Sequence, residues 1–393
     1  MKKISLIQPS RNNLKYLKWS YEALRKNISK EHQICVADDF SDDGTWEWCV
    51  EMMKKDPHFN AIRNDGPTRL GHTILYDRLI KEVAVNDIVM IYHADMYACP
   101  DFDVYIDKYI EPQTVVSLTR IEPPLHPRGV EKITEDFGVE PEQFNETNFL
   151  RWFNETKSTR TNKTTPGIFA PWAIYKSDFL SVGGHDDLFA PQSKEDSDIF
   201  NRFVLNKYKM IQTWEGCVYH MTCRGSRFNP KLTTVGKESS EWLTQNDRST
   251  RNFIRKWGSF VSHDEYMYPV IPPKYNIGFI ISNCNPNLLY SLEPWCDTIY
   301  VDCDTSEYIK AEQKNTKIDL SSRIKKLDDQ KSNNILVSFD GNKLNNINSR
   351  IIGQLSEIIK SSGEIGTFEL EIFRIEIKSV ETYEKQLICH FNS

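Results

Sequence analysis

Short apolar, β-branched runs alternate with helix-patterned segments from residue 3 onward, and this alternation constrains the fold most strongly. The runs ISLIQP, QICVADD, FNAIRND and DIVMIYHAD are separated by segments such as LKYLKWSYEALRK and TWEWCVEMMKK. Strands that alternate with helices form parallel sheets, because each crossover helix packs against the sheet. The sequence therefore predicts an α/β fold, with a Rossmann-like, mostly parallel sheet and flanking helices.

Polar residues end several of these predicted strands. A parallel α/β sheet binds ligands at the carboxyl ends of its strands, so these positions are the first candidates for a site. The residues at these strand ends are Pro9, Ser10, Asp38, Asp39, Asn64, Asp65, His93 and Asp95.

The pattern changes twice further along the chain. Pro-, Asn- and Thr-rich stretches between about residues 120 and 166 predict long loops near a site. After the linker-like HDEYMYPVIPPKYN, a second alternation runs from IGFIISN through the helix INSRIIGQLSEIIKSSG to a long strand, FELEIFRIEIKSV. We expect one domain over residues 1–262 and a smaller α/β or α+β domain over 263–393, which contacts the acceptor or mediates homo-oligomer formation.

Charge and composition exclude several function classes. The chain has 49 Lys and Arg against 55 Asp and Glu, and no segment concentrates basic residues, so nucleic acid is not an expected partner. No apolar run reaches the 18 or so residues of a transmembrane helix. The nine cysteines form no CxxC pair, which is typical of reduced thiols and favours a cytoplasmic location.

The segment VADDFSDDGT contains two adjacent carboxylates at a strand end, Asp38 and Asp39. Turn formation and helix capping explain the residues from Ser41 to Thr45 equally well. They explain Asp38 and Asp39 less well, because carboxylates at the end of a buried strand can accept hydrogen bonds from a nucleobase or ribose hydroxyls.

Two segments contain candidate metal ligands. In MIYHADMY, His93 and Asp95 are two residues apart, so on an extended chain both side chains face the same way and suit Mn²⁺. His220 ends the strand CVYH. The alternatives are a strand-end histidine with a turn aspartate, and a core histidine with satisfied hydrogen bonds.

Acidic residues also begin a predicted helix, at Glu195, Asp196 and Asp198. Capping and the helix dipole are one explanation for them. The other is a general base, one carboxylate of the Glu195–Asp196 pair, whose pKa is raised by repulsion from its neighbour.

Four motifs occur in an order that resembles the family 2 glycosyltransferases of GT-A fold, over roughly residues 3 to 258. They are P-S-R-N at residues 9–12, D-D-x-S-x-D-G-T at 38–45, N-x-G at 64–66, and G-G-x-D followed by E-D at 183–196.

The resemblance implies roles for individual residues. Pro9 borders the nucleobase, and Asp38 and Asp39 bind the base and ribose of a nucleotide-sugar, with a UDP-sugar favoured. Asn64 and Arg69 are further nucleotide contacts. Arg224, in TCRGSRFN, and Lys256, in FIRKWG, are candidates for closing over the bound nucleotide-sugar.

The resemblance also implies a divalent cation, Mn²⁺ in preference to Mg²⁺, held by Asp95 and His220. Asp196, beside Glu195, is the implied base. The first aspartate of the family's D-x-D motif is His93 in this chain, and protonation of His93 near its reference pKa of about 6.5 would weaken cation binding.

The implied activity is that of an inverting glycosyltransferase of the hexosyltransferase type. Its acceptor would be a hydroxyl group, most simply on a glycan, or on a lipid-linked or protein acceptor. A sugar-nucleotide pyrophosphorylase is the second hypothesis, although the opening QPSRNNLKYL lacks the expected glycine-rich phosphate loop. A degenerate domain that binds glycans or mediates assembly is the third, and His93 keeps it open.

Overall fold

The computed structural model describes residues 1–222 and 238–383, which fold into two compact units. The first contains the described part of Met1–Leu243 together with His263–Pro269, and the second contains Thr244–Ser262 and the described residues from Val270 onward. The predicted boundary after residue 262 therefore differs from the observed division, because Thr244–Ser262 packs with the second unit. Among the described residues, no helix has the length and apolar character needed to cross a membrane.

The first unit has an α/β architecture. Its strands are β1 (Ile4–Ser10), β2 (Gln33–Asp39), β3 (Phe59–Asn64), β4 (Ile88–Ile91), β5 (Met96–Ala98), β6 (Thr114–Glu122), β7 (Ile133–Thr134), β8 (Thr164–Thr165), β9 (Trp172–Tyr175) and β10 (Lys209–His220). Its helices are α1 (Leu14–Asn27), α2 (Thr45–Lys55), α3 (Gly71–Arg78), α4 (Phe102–Tyr109), α5 (Glu146–Glu155), α6 (Lys157–Arg160), α7 (Lys176–Ser181) and α8 (Glu195–Leu205), and α9 (Ser240–Trp257) begins in this unit.

These strands form one mixed sheet in the order β3-β2-β1-β4-β9-β6-β10-β5. The pairs β2–β3, β1–β2, β1–β4 and β6–β10 are parallel, whereas β9 pairs antiparallel with both β4 and β6. Strands β1 and β2 are buried along their whole length, and apolar residues cover both faces of the sheet. The predicted α/β sheet with flanking helices is confirmed.

The region between residues 120 and 166 contains more regular structure than the predicted long loops. Helix α5 begins after Asn145, whose side chain accepts a hydrogen bond from the amide of Asn148. Phe149 and Phe153 lie one turn apart on its buried face. The helix was missed because its surroundings are rich in loop-forming residues.

The second unit contains a separate six-stranded sheet within the described residues, in the order β13-β12-β11-β14-β16-β15. Its strands are β11 (Ile277–Ser282), β12 (Thr298–Val301), β13 (Ile324–Lys326), β14 (Ile335–Asp340), β15 (Gly366–Leu370) and β16 (Phe373–Ile377). Its helices after α9 are α10 (Pro286–Leu292), α11 (Ser306–Glu312), α12 (Leu320–Arg323) and α13 (Leu355–Ser362).

The predicted long strand FELEIFRIEIKSV is wrong, because the chain reverses within it. Glu371 adopts a left-handed backbone conformation with φ of 55°, and β15 and β16 pair antiparallel on either side of it. Apolar and polar residues alternate on both sides of the turn. The adjacent apolar pair Ile372–Phe373 breaks the alternation there, but no Gly, Pro or Asn marks the position as a turn. The predicted C-terminal helix is a 3₁₀ helix over Asn348–Gln354 followed by α13.

Candidate functional site

The carboxyl ends of β2 and β3 meet at Asp39, which the strand register pairs with Asn64. The Asp39 carboxylate accepts hydrogen bonds from the Asn64 side chain at 2.6 Å and from the amides of Leu70 and Gly71 at 3.1 and 2.9 Å. A helix start favours a carboxylate through its unpaired N–H groups and dipole. Gly71 has φ of +72°, and a Cβ there would lie 2.0 Å from the backbone oxygen of Pro191. Asp39 thus fixes the start of α3.

Asp38 lies beside Asp39 in a more enclosed position. It is fully buried, accepts a hydrogen bond from the Ser41 amide at 3.1 Å, and its Oδ2 lies 3.3 Å from the Nε of Arg63. Burial raises the pKa of Asp38, although the hydrogen bond from Ser41 and the charge of Arg63 oppose the shift. Pro9 is buried in the neighbouring strand β1. The structure therefore brings Pro9, Asp38, Asp39 and Asn64 to one edge of the sheet.

Arg69 leads into α3 and borders this edge. Its guanidinium donates to Gln192 at 2.6 Å, and its Nε lies 3.9 Å from Asp39. Burial lowers the pKa of Arg69, and the charge of nearby Arg11 lowers it further. Burial also lowers the pKa of His72 to about 3, and the positive charge of Arg69 contributes to this lowering. The edge thus combines two carboxylates with closely spaced cationic groups.

His93, Asp95 and His220 form a cluster whose ligand atoms all lie within 4.8 Å of one another. The register of β10 against β5 pairs His220 with Met96, which places Asp95 next to His220. The Nε2 of His220 lies 3.4 Å from the Oδ2 of Asp95, and the ring centroids of His93 and His220 are 5.7 Å apart. Two imidazoles and a carboxylate suit a divalent cation such as Mn²⁺.

Glu122, which the sequence analysis did not select, orients His220. The parallel register of β6 and β10 pairs Ile121 with Tyr219, so the next residue of each strand, Glu122 and His220, are neighbours. The Nδ1 of His220 lies 2.9 Å from Glu122, which also accepts hydrogen bonds from Arg120 and Lys132 at 2.9 Å each. A carboxylate on the far nitrogen of a histidine directs the other nitrogen toward a metal.

The two histidines of the cluster have pKa values shifted in opposite directions. Burial lowers the pKa of His93 to about 4, so His93 is neutral at pH 7. Burial acts in the same direction on His220, but Asp95 and Glu122 outweigh it and raise its pKa to about 9. A cation at the cluster would take the place of the proton on His220. The neutral state of His93 removes the objection that this residue repels a cation.

Glu195 and Asp196 begin α8, as the sequence predicts for a helix with acidic residues in its first turn. The Oε2 of Glu195 and the Oδ1 of Asp196 are buried without a hydrogen-bond partner. Burial and the charge of Asp196 raise the pKa of Glu195 to about 8, and burial raises the pKa of Asp196. Burial raises the pKa of Tyr76, and the charges of Asp196, Glu195 and Asp95 raise it further.

A buried histidine near the acidic pair was also missed by the sequence analysis. His185 is the variable residue of the G-G-x-D motif, and its Nδ1 lies 2.9 Å from the carboxylate of Asp77 in α3. Its Nε2 is buried without a hydrogen-bond partner, and its charge lowers the pKa of Asp196. No sequence signal marks this residue, because Asp77 is distant along the chain.

The roles predicted for Arg224 and Lys256 are not tested by the described part of this site. Arg224 lies outside the described residues. Lys256 lies in α9 within the second unit, where it is buried and its ammonium group is 5.8 Å from the ring centroid of Trp257. A nucleotide-binding role for either residue stays a prediction.

Comparison with known proteins gives one family match and several similar structures. Residues 5–182 match the family model described as glycosyl transferase family 2. No curated protein matches the sequence. The chain is similar to GalNAc-T7 with UDP, GalNAc and Mn²⁺, at 14% identity and a TM-score of 0.46, over 68% of this chain and 49% of that chain. The chain thus spans about half the length of GalNAc-T7.

Two further solved structures are similar at comparable levels. S. aureus TarS 1-349 aligns at 14% identity with a TM-score of 0.39, over 64% of this chain and 72% of that chain. The mannosyltransferase PcManGT from Pyrobaculum calidifontis, in complex with GDP-Man and Mn²⁺, aligns at 15% identity with a TM-score of 0.42, over 65% of this chain and 64% of that chain. The family match over residues 5–182 includes the carboxyl ends of β1 to β4, so this part of the first unit is similar to glycosyl transferase family 2.

Proposed function

We propose that this protein transfers a sugar from a nucleotide-sugar, with a UDP-sugar favoured, to a hydroxyl group on a glycan acceptor. A divalent cation would assist the departure of the nucleoside diphosphate. One observation carries the proposal: the His93–Asp95–His220 cluster lies at the carboxyl ends of strands in a family 2 domain, where α/β sheets bind ligands.

The donor set of the cluster fits a cation in the Mn²⁺ class. Asp95 supplies a charged oxygen. Burial raises the pKa of Asp95, but His220 and His93 outweigh burial and hold this pKa below its usual value. His93 offers a neutral nitrogen at pH 7. A bound cation would act as a Lewis acid toward the diphosphate.

The edge formed by the ends of β1, β2 and β3 is the proposed nucleotide site. Asp38 supports this role, because its buried Oδ2 has no hydrogen-bond partner and can accept one from a base or a ribose hydroxyl. The oxygens of Asp39 already accept three hydrogen bonds within the protein. We therefore propose that Asp38 contacts the nucleotide directly and that Asp39 holds Asn64 and the start of α3 in position.

Asp196 is the proposed general base. The raised pKa of Glu195 keeps a proton on the acidic pair at pH 7, and His185 favours the charged form of Asp196. The Asp196 carboxylate would accept the proton of the acceptor hydroxyl as its oxygen attacks the anomeric carbon. Attack from the side opposite the leaving diphosphate would invert the configuration at that carbon.

Thermal unfolding with a panel of nucleoside diphosphates, each with and without Mn²⁺, tests the proposal. A ligand at a hundred times its Kd stabilises the folded state by about 2.7 kcal/mol. We expect one nucleotide to raise the Tm and Mn²⁺ to increase that rise. Asp95→Asn should remove the Mn²⁺-dependent part, whereas Asp328→Asn, which alters an exposed aspartate of the second unit, should retain it.

Release of nucleoside diphosphate from a matching nucleotide-sugar would then distinguish an enzyme from a binding module. Binding without release would favour the degenerate glycan-binding hypothesis. Formation of nucleoside triphosphate from the nucleotide-sugar and pyrophosphate would favour the pyrophosphorylase. No Tm change with any nucleotide would overturn the proposed donor class.

A further inference from the structure

Two half-buried cysteines follow neighbouring strands of the second unit. Among the seven cysteines within the described residues, five are buried, and only Cys284 and Cys303 are partly exposed. Cys284 follows β11 and Cys303 follows β12, and these strands are parallel neighbours in the sheet. Both thiols therefore lie at the same edge of this sheet, within reach of small molecules in solution.

The backbone holds the two cysteines close together. The register pairs Ile281 with Val301, two residues before Cys303. The carboxylate of Asp302 then accepts hydrogen bonds from the amides of Asn283 at 2.6 Å and Cys284 at 2.9 Å. Neighbouring strands lie about 4.8 Å apart, and a disulfide needs a Cα separation of about 4.4–6.8 Å. Asp302 thus keeps the chain at Cys284 within disulfide range of Cys303.

The two thiols also influence one another. The Cys303 side chain contributes to the raised pKa of Cys284, which supports their proximity, and the Sγ of Cys284 lies 3.7 Å from the backbone oxygen of Asn285. A sulfur–sulfur bond would close by rotation of these two side chains.

We propose that Cys284 and Cys303 are a modification site that forms an intramolecular disulfide by exchange with a small disulfide, such as an oxidised low-molecular-weight thiol. This inference is independent of the proposed transferase activity, because the site lies in the second unit and uses none of the residues assigned to the reaction.

The exchange proceeds in two balanced steps. The Cys303 thiolate attacks one sulfur of the small disulfide, forms a mixed disulfide and releases one small thiolate. The Cys284 thiolate then attacks the sulfur of Cys303 and releases the second small thiolate. The protein thiols lose two protons to solvent and two electrons to the reagent, whose two sulfurs are reduced.

Electrostatics at the pair favour the disulfide and set the order of the steps. Burial raises the pKa of Cys284 to about 12, with further contributions from Cys303 and Asp302, so Cys284 is a poor first nucleophile. Once Cys303 is in a mixed disulfide, it can carry no thiolate charge, so it no longer raises the pKa of Cys284. Because burial disfavours the Cys284 thiolate, the reduced pair gains little from ionisation of that residue, which favours the disulfide.

Peptide mapping of the whole protein tests the site. The reduced protein is incubated with oxidised glutathione under native conditions, its remaining thiols are alkylated, and its peptides are analysed by mass spectrometry. We expect a cross-linked pair of peptides that contain Cys284 and Cys303. Free thiols at both positions after prolonged incubation, a persistent glutathione adduct, or a bond from either residue to another cysteine would overturn the proposal.

A stability measurement provides an independent check. The bond would close the loop between Cys284 and Cys303 and restrict the unfolded chain, so the oxidised protein should have a higher Tm than the reduced protein. Cys303→Ser should abolish this oxidant-dependent rise, and Cys296→Ala, which alters a buried cysteine of the same unit, should keep it. The same rise in Cys303→Ser would contradict the assignment.

Discussion

Replacement of Glu122 by glutamine should weaken cation binding to the His93–Asp95–His220 cluster, although Glu122 itself is not one of the proposed cation ligands. The Glu122 carboxylate lies 2.9 Å from the Nδ1 of His220 and also accepts hydrogen bonds from Arg120 and Lys132. In Glu122→Gln, the side-chain amide can turn its oxygen toward His220 only if its N–H₂ group faces the ammonium of Lys132, and two donors then face one another. His220 therefore loses both its negative partner and its fixed orientation.

Loss of such a partner typically lowers metal affinity 10- to 100-fold, which corresponds to about 1.4–2.7 kcal/mol. We would titrate Mn²⁺ calorimetrically into wild type and Glu122→Gln in the presence of a saturating nucleoside diphosphate. Glu131→Gln is the matched control, because Glu131 contacts Arg120 at 3.4 Å and makes no contact with His220. Wild-type Mn²⁺ affinity in a folded Glu122→Gln would refute the role of Glu122 in orienting His220.

Three further predictions concern the base and the stability of the fold. Asp196→Asn should abolish sugar transfer and leave nucleotide affinity nearly unchanged, because a base acts mainly in the transition state. Measurement of kcat for transfer and Kd for the nucleotide checks both parts. Retained turnover would show that Asp196 is not the base. Arg255→Leu should destabilise the protein by about 3 kcal/mol in a denaturant titration, because the buried carboxylates of Glu293 and Glu312 lose a shared charged partner and keep only Arg323 and Arg251. Lys360→Ala, which alters an exposed pair, should change little. Burial alone would raise the pKa of Asp103, but hydrogen bonds from His32 and a backbone amide hold it below the usual value. The ionised Asp103 carboxylate thus stabilises the folded protein at neutral pH, and this stabilisation is lost as the pH falls below about 4. The loss of unfolding free energy caused by Asp103→Asn should therefore be smaller below about pH 4 than at neutral pH. A loss that does not change with pH would contradict this prediction.

Several parts of the site follow from local sequence. Strands β2 and β3 end in Asp39 and Asn64, and β4 ends two residues before His93, so these polar residues mark the carboxyl edge of the sheet. The candidate metal ligands His93, Asp95 and His220 were selected on this basis, and the structure brings them together.

Other parts depend on contacts between distant segments. Glu122 ends an ordinary strand in a proline-rich region, and only the register of β6 against β10 reveals its contact with His220. His185 contacts Asp77 across more than a hundred residues of sequence. The turn at Glu371 was missed because alternation on both sides of it resembles one long strand and no Gly, Pro or Asn lies at the reversal.

The sequence by itself determined the class of fold, the strand ends that carry polar groups and the resemblance of the first unit to family 2 glycosyltransferases, because periodicity and turn chemistry are local properties of the chain. Only the tertiary structure decided the charge states. His93 and His220 are the same residue type in one cluster, yet burial lowers the pKa of His93 to about 4, and contacts with Asp95 and Glu122 raise that of His220 to about 9. Burial and strand register are set by the whole fold, so no local pattern encodes this difference.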